Sequence, residues 1–246
     1  MTTIADNLQG VRQRLAKACV AAGRDVDAVT LLAVSKTFGP DEVAQALAAG
    51  QRAFGENYIQ EGVEKVLALQ ASHPDHVLEW HCIGPVQSNK TRLVAAHFDW
   101  VHSVDRFKIA QRLSEQRPAG RPPLQICLQV NVDQGANKAG VGPGELATLA
   151  AEVKALPGVV LRGLMCIPEP SVDPQVQRTA FRQVRELFDR LNATGLSMDT
   201  LSMGMSDDLE AAVAEGSTLV RVGRAIFGAR PRKPAPVTAS PASGSV

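Results

Sequence analysis

Residues 29–37 read Val29-Thr30-Leu31-Leu32-Ala33-Val34-Ser35-Lys36-Thr37, with Gly39-Pro40 close behind. The first six are continuous, rich in β-formers and without polar alternation. Such a run is a strand covered on both faces, as in a parallel sheet. Upstream the rhythm differs: Ile4, Leu8, Val11, Leu15 and Cys19 recur three or four apart on a polar background. That spacing predicts an amphipathic helix ended near Gly23. Downstream the strand-like pattern returns at 52–55, 78–84, 100–104, 124–132, 159–167, 200–203 and 219–223. Helical patterns fill the gaps, clearest in Val176, Phe181, Val184, Leu187, Phe188 and Leu191 after Pro174. Strands alternating with helices imply right-handed βαβ units, and eight of them close most naturally as a (β/α)8 barrel. A doubly wound open sheet is the alternative.

The chain has 246 residues, of which 45% are hydrophobic and 21% charged. That length and composition suit one large domain, expected over residues 1–230. Residues 231–246 are rich in Pro, Ser and Ala and read as a disordered tail. The formal net charge of +1 gives no field to draw the chain to nucleic acid or an anionic membrane. No stretch approaches a membrane span, and Asp6, Asn7 and Arg12 interrupt any secretory leader. Cys19, Cys82, Cys127 and Cys166 form no Cys-x-x-Cys pair, which fits reduced thiols in a cytoplasmic protein. His97 and His102 have no cysteine or carboxylate at ligand spacing, so no metal site is expected.

In a parallel barrel the chemistry gathers at the C-terminal ends of the strands. Lys36 follows Ser35 at the end of the first strand, so its stem starts inside the barrel wall. Desolvation there favours the neutral amine, a nucleophile toward aldehydes. The plainer reading is a strand-end lysine that snorkels to water. The seventh strand ends in Ser202-Met203-Gly204-Met205-Ser206, and Ser206-Asp207-Asp208 reads as a helix start capped by Ser206. Gly223-Arg224 after the eighth strand offers further backbone N–H donors. A phosphate held between the last two strands is a recurrent barrel arrangement, although plain helix capping accounts equally for these residues. Lysine, phosphate cradle and the strand-end Arg221 together suggest one ligand with an aldehyde and a phosphate. Pyridoxal 5′-phosphate fits, with Arg221 placed to meet the pyridine nitrogen and leave it unprotonated. Aldol chemistry on a phosphorylated sugar would use a similar pair but lacks an obvious carboxylate pair.

Leu31-Leu32-Ala33-Val34-Ser35-Lys36-Thr37, Phe54-Gly55-Glu56-Asn57-Tyr58 and Trp80-His81-Cys82-Ile83-Gly84-Pro85 with Gln87-Ser88-Asn89-Lys90 resemble the pyridoxal phosphate homeostasis protein family (YggS/PROSC-like). So do Gly163-Leu164-Met165, Leu201 through Asp208, and Val220-Arg221-Val222-Gly223 with Ile226-Phe227-Gly228. The resemblance runs to about Arg230. It implies an alanine-racemase-like barrel, with pyridoxal phosphate held as a Schiff base on Lys36. It further implies that Asn57 lines the cofactor, that Met165 packs on its ring, and that Arg221 faces its nitrogen. Ser202, Met205, Ser206, Gly223 and Arg224 would form the phosphate site, Arg224 mainly through its backbone. His81 would line the pocket.

The related racemases carry a second domain whose tyrosine works opposite the lysine. Here the chain ends after the eighth strand and its one tyrosine is Tyr58. A racemase needs two proton-transfer groups flanking Cα, and Lys36 is the one that can be named. The expectation is therefore a monomeric protein that holds the cofactor in vitamin B6 homeostasis without substantial catalysis. A single-domain racemase, with Cys82 or His81 as the second group, is one alternative. A carrier that hands the cofactor to apo-enzymes is another.

Overall fold

Eight parallel strands close into a barrel in sequence order. They are β1 Thr30–Val34, β2 Ala53–Glu56, β3 Glu79–Cys82, β4 Trp100–Val104, β5 Leu124–Val130, β6 Val159–Cys166, β7 Thr200–Ser202 and β8 Leu219–Val222. The computed structural model describes residues 2–133, 135 and 138–229, so the 231–246 tail lies outside the described residues. Closure is made by β1 pairing with β8, with Leu31 opposite Val220 and Leu32 opposite Arg221. The strands fall where the sequence predicts, and several end one or two residues sooner. β3 stops at Cys82 because the next turn brings Gly84 against the backbone of Asn57. A Cβ on Gly84 would stand 2.2 Å from the Asn57 carbonyl oxygen.

Alternation along each strand divides the side chains into two sets. Leu31 and Ala33 join the main core between barrel and helices, with Phe54, Trp80, Cys82, Val101 and Val220. Leu32 and Val34 meet Ile83 and Leu219 within the barrel, and Trp100, Cys127 and Met165 form a second interior group. The rest of the lumen is polar: His81, His102, Ser202 and Arg221 are all buried there.

Three helices support the C-terminal end of the barrel. α1 (Ile4–Ala21) starts at Thr3, whose hydroxyl accepts from the Asp6 N–H while the Asp6 carboxylate accepts from the Thr3 N–H. That reciprocal cap fixes its first turn. α3 (Ile59–Ser72) follows β2 and α8 (Leu209–Ala214) follows β7, while α2 (Pro40–Ala48), α4 (Thr91–His97), α5 (Phe107–Glu115), α6 (Leu146–Lys154), α7 (Pro174–Ala193) and α9 (Arg224–Phe227) follow the other strands. No helix among the described residues is long and apolar enough to cross a membrane.

Candidate functional site

The C-terminal ends of the strands surround a cavity of about 630 Å³. Its wall includes Lys36, Asn57, Met205, Ser206, Arg221, Gly223 and Arg224, with Val34, Phe38, Ile83 and Ile167 supplying apolar surface. Seven of the nine residues singled out in the sequence as cofactor-binding are thus brought to one cavity.

Met165 and Ser202 are not on its wall. Met165 is fully buried with Trp100 and Cys127, and it stands opposite Ser202 in the β6–β7 register. Both belong to a lumen layer below the cavity. Ile167, two positions beyond Met165 and half exposed, lines the wall in its place. Ser202 accepts from the Arg221 guanidinium at 2.8 Å through its hydroxyl and at 2.6 Å through its carbonyl. Its partner is the arginine, and the position nearer the loop belongs to Ser206. Capping differs too. Asp208 precedes α8, and its carboxylate accepts from the Met205 N–H at 2.6 Å. Ser206 is thereby left at the cavity wall, and Asp208 is engaged with the loop.

The segment bearing Lys36 is gripped from below by a buried ionic cluster. Lys65 on α3 donates to the Ser35 carbonyl at 2.8 Å, to Glu56 at 2.8 Å and to Glu61 at 2.7 Å. Ser35 donates its hydroxyl to Glu56 at 2.6 Å, and the Thr37 N–H donates to Glu61 at 2.6 Å. The backbone on both sides of Lys36 is therefore tied to one lysine. Burial pushes the Glu56 carboxyl above its ordinary value, against Lys65 and the Ser35 hydroxyl. Thr37 adopts φ of +71°, a strained conformation for a β-branched residue. That strain lies immediately beside the candidate nucleophile.

Across the cavity the supports are different. Arg221 is buried at the end of β8, and its second terminal nitrogen donates to the Cys166 carbonyl at 2.9 Å. α1 reaches both loops on this side. Arg14 donates to the Ser206 carbonyl at 2.6 Å while forking onto Glu210, and Asn7 donates to the Ile226 carbonyl at 3.0 Å. The role of α1 in bracing these loops was not readable from its amphipathic spacing.

The side chains considered as a second proton-transfer group are elsewhere. Cys82 packs in the outer core, and burial pushes its thiol up to about 12. His81 lies in the lumen below the cavity, bonded to Glu79 and His102, and does not line it. Tyr58 is about half exposed and is not on the wall. Among the described residues, no group of three or more His, Cys, Asp or Glu is placed to hold a metal ion.

Comparison with known proteins agrees with this architecture. Residues 2–231 match the family "Alanine racemase, N-terminal domain". The chain is 59% identical over 230 residues to the pyridoxal phosphate homeostasis protein of Pseudomonas aeruginosa, covering 94% of this chain and 97% of that one. The solved structure of PipY from Synechococcus elongatus, with PLP bound, is 36% identical and superposes with a TM-score of 0.79, over 92% of this chain and 100% of that one. Alanine racemase from Corynebacterium glutamicum shares the fold at 17% identity and a TM-score of 0.64, over 91% of this chain and 62% of that one.

Proposed function

The chain belongs to the pyridoxal phosphate homeostasis protein family, and from that membership we propose that it holds pyridoxal 5′-phosphate in the barrel-mouth cavity. The covalent attachment is to Lys36, and the role is intracellular vitamin B6 homeostasis in the cytoplasm, without substantial catalysis. The binding unit is residues 1–230, acting as a monomer. The observation that carries this reading is the convergence of Lys36, Asn57, Ser206, Arg221, Gly223 and Arg224 on one cavity.

The chemistry of the donor set supports the fit. Asn57 Oδ1 is buried without a hydrogen-bond partner, an unsatisfied acceptor at the wall that a ligand hydroxyl would satisfy. In the short turn at Arg224–Phe227 the Gly223 carbonyl takes the Ile226 and Phe227 N–H groups, which leaves those of Arg224 and Ala225 to face a ligand. With the Ser206 hydroxyl they would take the phosphate. A guanidinium donates and cannot accept, so Arg221 facing the ring nitrogen would leave it unprotonated. When bound, the cofactor supplies an aldehyde for an amine and, in enzymes that protonate its ring, an electron sink. The residues here do the first task and work against the second.

Racemisation needs a proton donor opposite the lysine. A thiol held near 12 in the outer core does not serve, and neither does a histidine below the cavity. Among partners, hand-over to pyridoxal-phosphate-dependent apo-enzymes is consistent with a cavity at the open end of the barrel. Two measurements test the reading. Titration with pyridoxal phosphate should raise a long-wavelength absorbance in the wild type that Lys36→Ala lacks. The loaded protein, incubated with L-alanine or L-serine in deuterium oxide, should not exchange Cα–H. Exchange that vanishes in Lys36→Ala would restore the racemase.

A further inference from the structure

Below the cavity, side chains from β3, β4, β7 and β8 form one unbroken row of hydrogen bonds. Glu79 Oε1 lies 2.8 Å from His81 Nε2, and His81 Nδ1 lies 2.8 Å from His102 Nε2. His102 Nδ1 lies 2.8 Å from Ser202 Oγ, which is 2.8 Å from the Arg221 guanidinium. β4 and β7 are not neighbours in the barrel, so the His102–Ser202 bond crosses the lumen. The row begins at a half-exposed carboxylate and ends at an arginine on the cavity wall.

We propose that Ser202, His102, His81 and Glu79 are a positioning row for Arg221, ordered in a single direction and fixed at both ends. The proposal rests on the reading that Arg221 meets the ligand's ring. The order follows from donor and acceptor capacity once the buried Ser202 hydroxyl proton is given an acceptor, which among its bonded partners is His102 Nδ1. The His102 ring proton then sits on Nε2 and donates to a bare His81 Nδ1. The remaining His81 proton is on Nε2, facing a carboxylate that only accepts. The Ser202 hydroxyl oxygen in turn accepts from Arg221, which can only donate. Both histidines are therefore neutral and of the same tautomer. His102 is buried, and desolvation above all, with Arg221 nearby, holds its protonation well below the ordinary histidine range. A proton added to the row would place a second cation in the lumen with Arg221. Glu79, the carboxylate of the row, stands at its far end and also faces Arg162, and Asp208 faces Arg221 from the other side.

The row does two things for the cavity. It leaves the guanidinium as the sole cation among these lumen groups. It also fixes one terminal nitrogen of Arg221 on Ser202, while the Cys166 carbonyl fixes the other. The plane of the guanidinium is set by partners below the ligand and needs none from the ligand itself. Arg221 cannot release a proton, so the row acts as a brace and not as a proton path.

The test combines a ligand-free and a ligand-bound readout. In the wild type without cofactor, nitrogen NMR of labelled histidine at pH 8 should find His81 and His102 each with a protonated Nε2 and a bare Nδ1. His81 doubly protonated, or His102 protonated at Nδ1, would reverse the row and overturn the proposal. For the bound state, His102→Phe removes both of the histidine's bonds, and His102→Gln supplies one acceptor and one donor in its place. Pyridoxal phosphate should bind His102→Phe about ten-fold more weakly, as expected when a buried hydrogen bond behind Arg221 is lost, with a shifted absorption maximum. Borohydride should still trap the adduct on Lys36, and His102→Gln should recover affinity and maximum. Wild-type affinity and spectrum in a folded His102→Phe would also overturn it. If the phenylalanine variant does not fold, the NMR assignment and a Gln variant resembling wild type decide the question. A wild type that binds no cofactor would sink the proposed function while leaving the ordering of the row to the NMR result.

Discussion

On the Lys36 wall the buried supports are ions: Lys65 bridges Glu56 and Glu61 beneath Ser35 and Thr37, with its side chain almost fully buried. On the Arg221 wall they are neutral, a serine and two histidines leading to a carboxylate at the lumen's far end. The two walls pose opposite problems. A buried lysine needs counter-ions, so the Lys65 charge is neutralised where it stands by Glu56 and Glu61 and directed onto the backbone beside Lys36. A buried arginine cannot lose its charge, and so its environment must supply acceptors without adding cations. Each network suits the group that it carries, and each breaks in its own way.

The ionic wall should break hardest. Lys65→Met leaves Glu56 buried without its counter-ion, and removing one partner of a buried pair costs about 3–5 kcal/mol. Urea unfolding should register that loss, and the double variant with Glu56→Gln should recover part of it. A Lys65→Met midpoint equal to wild type would mean that the cluster contributes nothing. The neutral wall should instead respond to pH. His102 is held well below 6.5, so the unfolded chain takes up a proton near 6.5 that the native chain refuses. Stability is then complete above pH 6.5 and falls as pH drops below it, by about 1.4 kcal/mol per pH unit. Melting at pH 7.5 and 5.5 should show this fall, and His102→Gln should flatten it. An unchanged slope in that variant would remove His102 as its source. The smallest effect is expected at the surface. Arg14→Ala breaks an exposed fork with Glu210 and should cost under ~1 kcal/mol. It also frees the Ser206 carbonyl, so pyridoxal phosphate should lose affinity relative to unphosphorylated pyridoxal. Equal losses for both ligands would separate Arg14 from the phosphate loop.

Much of this was legible because barrel geometry converts strand ends into a site. Continuous apolar runs with β-formers gave strands, and the residues just beyond them gave Lys36, Asn57, Ser206, Gly223 and Arg224 on one cavity. Met165 and Ser202 differ from the other seven residues in depth. Alternation assigns a side chain to the lumen but not to a layer within it, and both stand one layer down. The histidine row is not legible in ligand spacing, which speaks to a metal at His102 and not to what the inward face of β4 presents. A signal was there: His81 and His102 are polar residues inside otherwise buried strands, and both fall on the lumen side. Lys65 was harder. An i,i+4 pair with Glu61 is ordinary on an exposed helix face, and only packing of α3 against β2 makes it a buried ion.

The central claim is that one lysine among those of this chain carries the cofactor. Purified protein should be loaded with pyridoxal phosphate, reduced with borohydride, digested and mapped by mass spectrometry. A single pyridoxyl modification on Lys36, absent when Lys36→Ala is treated alike, is the result expected. Modification centred on Lys65, Lys90 or Lys138, or none at all despite bound cofactor, would contradict the account.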